Sequence, residues 1–253
     1  MLSRFNGMMI SMTATMLLML AFVVTNNSQA YTITPEDSSS AYMITKMPEL
    51  EYYENYDHLR ADGKSVVVYP ILTQSAYDWG GFHDYYSGRC DTCTVISLHQ
   101  TYQKTLSASG NGFRILEFLG YQVIDDLDID KNPAILEQFD KVVLLHNEFV
   151  TKSEFDAITQ HPNVAYLYPN ALTSQVYVDY QSNSIELIRG PSYPTSDVVS
   201  GFDWEYVNSQ YEKNWECHFW EFYKINNGYM LNCYPETFLP SNGHEMLKKL
   251  KEL

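Results

Sequence analysis

The stretch Val142-Val143-Leu144-Leu145-His146-Asn147-Glu148 decides the fold. Four consecutive apolar residues indicate a strand that is buried on both faces, as the central strands of a parallel sheet are. Polar residues follow where the strand must end, and their alternation puts His146 and Glu148 on one side and Asn147 on the other. We therefore expect a central parallel strand that delivers polar side chains to one edge of a sheet.

Short β-rich runs alternate with capped helical segments on both sides of this stretch, from residue 64 to residue 170. This alternation is typical of an α/β fold with a parallel sheet. Beyond residue 170 the chain becomes β-rich and irregular, with two predicted hairpins. The predicted strands are 65–72, 94–98, 121–124, 141–145 and 164–168. The predicted helices are 112–119, one beginning at 132–133, one that follows a capping box of Thr151 and Glu154, and a terminal one at 245–253.

The composition limits the classes of function. The chain has 253 residues, of which 45% are hydrophobic and 15% aromatic, enough for one sizeable core. Asp and Glu outnumber Lys and Arg by 31 to 16, which gives a net charge of -15 and argues against nucleic acid as a partner. No Cys or His run has the paired spacing of a zinc finger.

The first thirty residues have the order of a secretory signal. A single charge, Arg4, precedes an apolar stretch at 8–24 and the small-residue end Ser28-Gln29-Ala30. An uncleaved membrane anchor is the alternative, since 17 residues reach the lower limit for a span. We predict cleavage before Tyr31 and a mature protein outside the membrane, secreted to the extracellular or a periplasm-like space.

The sequence divides into four regions. The signal peptide (1–30) is followed by an acidic, Tyr-rich extension (31–62), an α/β core (63–175) and a β-rich C-terminal portion with a terminal helix, packed on the core (176–253).

The four cysteines predict disulfides, because an exported chain meets oxidising conditions. Cys90 and Cys93 form a C-x-x-C, but a β-branched run follows in place of the helix that a thioredoxin-like pair needs, so a structural disulfide is expected. Four cysteines allow three pairings, and the preferred set adds Cys217 with Cys233.

Three predicted loops leave the carboxyl ends of strands, where open α/β sheets bind ligands. They span residues 76–86, 96–102 and 146–149, and they are rich in tyrosine, tryptophan and histidine. The alternative is purely structural: aromatic loop anchors and a carboxylate near a helix N-terminus.

Several of these runs, taken in order, resemble the large subunit of N,N-dimethylformamidase and its relatives. They are Ala76-Tyr77-Asp78-Trp79-Gly80-Gly81, 119–123, 126–133, 139–143 and His146-Asn147-Glu148-Phe149-Val150, within residues 64–175. The resemblance implies a three-layer, class I glutamine amidotransferase-like (flavodoxin-like) parallel sheet. Phe149 and Val150 depart from the aromatic pair usual in that family.

The resemblance also implies a mononuclear iron held by two tyrosinates and a glutamate. Glu148 and Tyr77 match two of these ligands, and Tyr102 is chosen as the second tyrosine, with Tyr85 and Tyr86 as competitors. His146 would assist catalysis beside Glu148. No Cys or Ser occupies the turn at 169–171 after the last predicted core strand, which argues against a cysteine hydrolase.

Two functions of different classes remain open. The first is a secreted, iron-dependent hydrolase that cleaves the C–N bond of a small amide. The second is a non-catalytic protein on the same fold that binds a ligand or glycan through its Tyr- and Trp-rich loops, or has an envelope role.

Overall fold

A six-stranded, mostly parallel sheet forms the centre of the molecule. The computed structural model describes residues 56–206, 211 and 213–253. The strand order is β3-β1-β4-β6-β10-β9, and only β9 runs antiparallel to its neighbour. The strands are β1 (Ser65–Tyr69), β3 (Gln122–Asp125), β4 (Lys141–Leu144), β6 (Val164–Tyr166), β9 (Phe222–Ile225) and β10 (Gly228–Leu231).

The direction in which successive strands are added to this sheet reverses between β1 and β4. From β1 it moves outward to β3, and then returns to β4 on the other side of β1 before it continues to β6. A sheet that reverses in this way opens a crevice at the carboxyl ends of the two strands that flank the switch. We refer to the edge after Tyr69 and Leu144, where this rule predicts a ligand site, as the crevice.

Helices cover both faces of the sheet, because alternate residues of each strand enter different cores. Val67 and Val143 pack on one face, whereas Val66 and Val142 pack on the other. The predicted α/β class with a parallel sheet is confirmed. The helices are α1 (Ile71–Ala76), α2 (Phe82–Tyr86), α3 (Gly110–Phe118), α4 (Asp126–Lys131), α5 (Lys152–Gln160), α6 (Leu239–Asn242) and α7 (His244–Glu252).

Local signals account for the ends of these helices. The Thr151 hydroxyl and the Glu154 carboxylate form the predicted capping box at the start of α5. A second capping box, of Asp125 and Asp128, begins α4, a helix that was not predicted. The helix predicted from Asn132 is a 3-10 helix, Pro133–Gln138.

A second, four-stranded sheet lies in the order β2-β8-β7-β5. The strand predicted at 94–98 belongs here and pairs antiparallel with β8, so its assignment to the main parallel run was wrong. Only one of its three residues is buried, whereas all five residues of β1 are. These strands are β2 (Val95–Ser97), β5 (Phe149–Thr151), β7 (Ser174–Asp179) and β8 (Ser184–Arg189).

The C-terminal portion completes the main sheet in addition to packing on it. β10 pairs parallel with β6 and antiparallel with β9. Gly228 is required at this junction, because a Cβ there would lie 1.8 Å from the carbonyl oxygen of Val164. The β-rich C-terminal portion therefore contributes two strands to the main sheet.

Both disulfides of the preferred set are present. Cys90 bonds to Cys93, and Cys217 bonds to Cys233, whose Cα atoms lie 5.4 Å apart. Within the described ranges, no helix has the length and apolar character needed to cross a bilayer. The predicted signal peptide and most of the acidic extension lie outside the described residues.

Candidate functional site

Three loops meet at the crevice beside the switch between β1 and β4. β1 leads through α1 to Tyr77, β4 leads to His146 and Glu148, and β6 leads to Asn170. Parallel strands end at the same edge of a sheet, which is why residues from such distant parts of the chain converge.

Glu148 is the centre of this cluster. Its Oε2 atom accepts a hydrogen bond of 2.8 Å from the Tyr77 hydroxyl and lies 3.2 Å from Nε2 of His146. The Asn170 side-chain amide donates to the same oxygen at 3.3 Å. The Glu148 side chain is 15% exposed, so solvent or a ligand reaches it.

Both ring nitrogens of His146 have polar partners. Its Nδ1 atom lies 2.7 Å from the carbonyl oxygen of Ser107. A carbonyl only accepts hydrogen bonds, so Nδ1 carries a proton. Nε2 lies 2.6 Å from the Asn170 amide nitrogen and 3.2 Å from Glu148 Oε2. A neutral ring accepts from that amide, whereas a protonated ring donates to the carboxylate, so His146 can exchange a proton through Nε2.

Buried polar groups fix the loop that carries His146 and Glu148. The His146 N–H donates to the Ser109 hydroxyl at 2.9 Å. The Asn147 amide donates to Asp126 at 2.6 Å, and the Leu72 N–H donates to the other oxygen of the same carboxyl. Burial raises the pKa of Asp126, and the pKa of the neighbouring Glu154 rises for the same reason.

A second layer of polar residues lies behind His146. The ring of Tyr168 stacks on the imidazole at 5.8 Å, and its hydroxyl donates to Glu236 at 2.6 Å. Glu236 also accepts from the N–H groups of Asn111 and Gly112 in the first turn of α3. Burial raises the pKa of Glu236 to about 8, against the lowering effect of these hydrogen bonds.

The predicted site residues do not all converge. Tyr77, His146 and Glu148 lie together, as described above. Tyr102 does not join them: its hydroxyl donates to Asp125 at 2.8 Å and its ring stacks on Tyr69, at the carboxyl ends of β3 and β1. The choice of Tyr102 as a partner of Glu148 is thus at odds with this hydrogen bond.

The two competing tyrosines differ in their surroundings. The ring of Tyr85 packs edge-on against Tyr193, with centroids 5.6 Å apart. Burial and the negative charge of Glu148 raise the pKa of Tyr86. Of the two, Tyr86 is the tyrosine whose pKa responds to the charge of Glu148.

Sequence reasoning missed two members of the cluster, Asn170 and Tyr234. The Tyr234 hydroxyl lies 3.1 Å from Nδ1 of His146. Asn170 could have been found, because it follows β6 at the same edge of the sheet. Tyr234 comes from a segment without a periodic pattern, and the sequence contains no signal that would place it here.

The rim of the crevice is aromatic. The His83 ring stacks on Tyr77 with centroids 5.2 Å apart, and Trp79, two residues further along the loop, is 76% exposed.

In the described part of the chain, no three side chains of the His, Cys, Asp or Glu type converge as metal ligands. A metal ion held by three side chains at this crevice would need a donor of another type, such as the Tyr77 phenol. No protein-family model and no curated protein sequence matches this chain.

Proposed function

We propose that the protein is an iron-dependent hydrolase that cleaves the C–N bond of a small amide at this crevice. The observation that carries the proposal is the contact of the Tyr77 hydroxyl with Glu148 Oε2 at 2.8 Å, beside His146 Nε2 at 3.2 Å. A phenol, a carboxylate and an imidazole thus meet at the edge where α/β sheets bind ligands.

The phenol and carboxylate oxygens at this site are suitable ligands for iron. Phenolate and carboxylate oxygens are hard ligands that suit a ferric ion. The buried Oδ1 atom of Asn170 has no hydrogen-bond partner among the described residues, which leaves a polar group for a ligand at the same place. Tyr77 and Glu148 would hold the ion, with Tyr85 and Tyr86 as the candidates for the second phenolate.

An ion bound here would supply a Lewis acid that polarises an amide carbonyl and lowers the pKa of a water molecule. The remaining work falls to residues of this chain. His146 Nε2 accepts the proton of the attacking water, because Nδ1 is already protonated against Ser107. Nε2 has one lone pair, so the Asn170 amide that donates to it must turn away before the proton arrives; the same proton is then available for the departing amine.

The experiment is to supply the purified protein with iron and to record its visible spectrum and amide hydrolysis. Tyrosinate bound to ferric iron gives a charge-transfer band. We expect the band and bound iron to be lost in Tyr77→Phe and Glu148→Ala. Tyr102→Phe is the matched control and should keep both, because its hydroxyl is bonded to Asp125. A colourless, metal-free wild type that hydrolyses no small amide would refute the proposal.

The exposed aromatic residues favour a second candidate function, the binding of a glycan or other ligand without catalysis. Trp79 at the rim and Phe219 in the C-terminal portion are 76% and 90% exposed. Exposed aromatic rings can stack on a ligand's apolar face. Glycan binding that Trp79→Ala abolishes in an iron-free protein would support this alternative.

A further inference from the structure

The first and last described segments of the chain meet at two histidines, His58 and His244. His58 lies in the 3-10 turn Asp57–Leu59, and His244 is the first residue of α7. Their Nε2 atoms are 3.2 Å apart. The Lys251 ammonium donates to the carbonyl oxygen of His58 at 2.9 Å, which ties the turn to the same helix.

The protonation of His244 follows from its second nitrogen. Nδ1 lies 2.9 Å from Oε1 of Glu245, and an ionised carboxylate only accepts hydrogen bonds. Nδ1 therefore carries the proton, and in the neutral ring the lone pair on Nε2 faces His58. A carboxylate that holds the far nitrogen of an imidazole in this way is the usual support of a metal-binding histidine.

The distance between the two nitrogens also fits a shared ion. Two imidazoles on a tetrahedral zinc ion, each about 2.0–2.1 Å from the metal, have nitrogens about 3.3–3.4 Å apart. The observed separation is 3.2 Å, so the two nitrogens would need to move little. Without an ion, this separation is spanned by an N–H···N hydrogen bond from His58 to His244. An ion would replace its proton, and the rings would turn so that both lone pairs point at the ion.

We propose that His58 and His244 bind a divalent transition-metal ion of the class that prefers imidazole, with Zn²⁺ as the representative. Glu245 supports His244, and water completes the coordination, since both rings reach solvent. The ion would link the turn at 57–59 to α7, and so connect the first and last elements of the described part of the chain. This site is independent of the function proposed above.

The first test is a zinc titration of the full mature protein by calorimetry, after removal of metal by a chelator. We expect wild type to bind zinc and to melt at a higher temperature with it. His58→Ala and His244→Ala should each lower the affinity at least tenfold, and Glu245→Gln should lower it about 10- to 100-fold. His218→Ala is the matched control, because that exposed ring pairs with Glu216.

Two further measurements keep the outcome clear. Glu148→Ala should retain zinc binding at the histidine pair, which separates this site from the crevice. In wild type loaded with one Cu²⁺, electron paramagnetic resonance should record two equivalent nitrogen ligands. A single nitrogen ligand, zinc affinity that persists in the His58→Ala/His244→Ala double variant, or a wild type that binds no zinc would overturn the proposal.

Discussion

The Tyr234 hydroxyl lies 3.1 Å from Nδ1 of His146, although the two residues are 88 positions apart. Tyr234 directly follows Cys233, which is bonded to Cys217. The disulfide-bonded segment thus delivers an aromatic ring to the back of the crevice. His146 depends for its orientation on a part of the chain outside the α/β run that contains it.

Removal of this hydroxyl should change the environment of the His146 ring while the packing around it is kept. In Tyr234→Phe the ring still packs against Tyr168 and Trp215. We expect a loss of about 1 kcal/mol in the free energy of unfolding, typical of a single hydrogen bond. The ¹⁵N resonances of the His146 ring should also shift in NMR spectra.

Tyr177→Phe is the control for this change, because that ring is 58% exposed on the second sheet. It should leave both quantities nearly unchanged. Unchanged His146 resonances in Tyr234→Phe would mean that the hydroxyl does not position the imidazole.

Titration of Glu236 should lower the free energy of unfolding as the pH rises. Its pKa is about 8 in the folded state, above the ordinary value of 4.5, because it is buried. The folded state therefore binds this proton more tightly than the unfolded state does. The stabilisation is complete below about pH 4.5, declines between about 4.5 and 8, and is gone above that range.

Glu236→Gln should reduce this decline, since the amide does not titrate and its single oxygen keeps one of the two backbone hydrogen bonds, from Asn111 or from Gly112. The slope of unfolding free energy against pH should become less negative by up to about 1.4 kcal/mol per pH unit. Urea unfolding at several pH values measures it, with the exposed Glu186→Gln as control. If the free energy of unfolding depends on pH equally in wild type and Glu236→Gln, the raised pKa of Glu236 is not the cause. Some pH dependence should remain in both proteins, because burial also raises the pKa of Asp126.

The capping box at α5 should contribute measurably to stability. Thr151→Ala removes the hydroxyl that accepts from the Glu154 N–H. We expect a loss of about 1 kcal/mol in chemical denaturation. Thr159→Ala, in the last turn of the same helix, removes a hydroxyl without a capping role and should cost clearly less. Equal losses would show that the cap is not the cause.

The two disulfides should differ in their effect on stability. Cys217 and Cys233 are 16 positions apart, whereas Cys90 and Cys93 are three apart. A larger closed loop restricts the unfolded chain more, so replacing the first pair with serine should cost about 3 kcal/mol and replacing the second pair less. Urea unfolding of the two double variants decides the order, and the reverse order would contradict it.

The mature protein should begin near Tyr31. The apolar segment ends in Ser28-Gln29-Ala30, the small-residue pattern of a cleavage site. N-terminal sequencing of exported material measures this directly. An intact protein that begins at Met1 and requires detergent for extraction would identify the segment as an anchor.

The parts of the fold that the sequence predicts are those with local causes. The apolar run at β4 and the Thr151–Glu154 capping box depend on neighbouring residues alone, and both have the expected structure. β2 could not be assigned to its sheet, because its partner β8 lies about ninety residues further along the chain.

Residues of the candidate site were also predictable only where their position has a local cause. His146 and Glu148 could be placed on one side because they follow a recognisable central strand. Tyr102 also follows a predicted strand, but that strand belongs to the second sheet and the tyrosine turns to Asp125 instead. Distant pairing, which no local pattern records, decided which tyrosine reaches Glu148.

The position of β10 in the main sheet affects the way the protein is made. The outer edge of β6 is covered by β10, whose last residue, Leu231, follows Tyr166 by 65 positions. At ribosomal speed this edge waits roughly 3 to 13 s for its partner. During that interval it offers unpaired backbone groups to other nascent chains. Premature termination before residue 231 would make this exposure permanent, so we expect truncated products to aggregate.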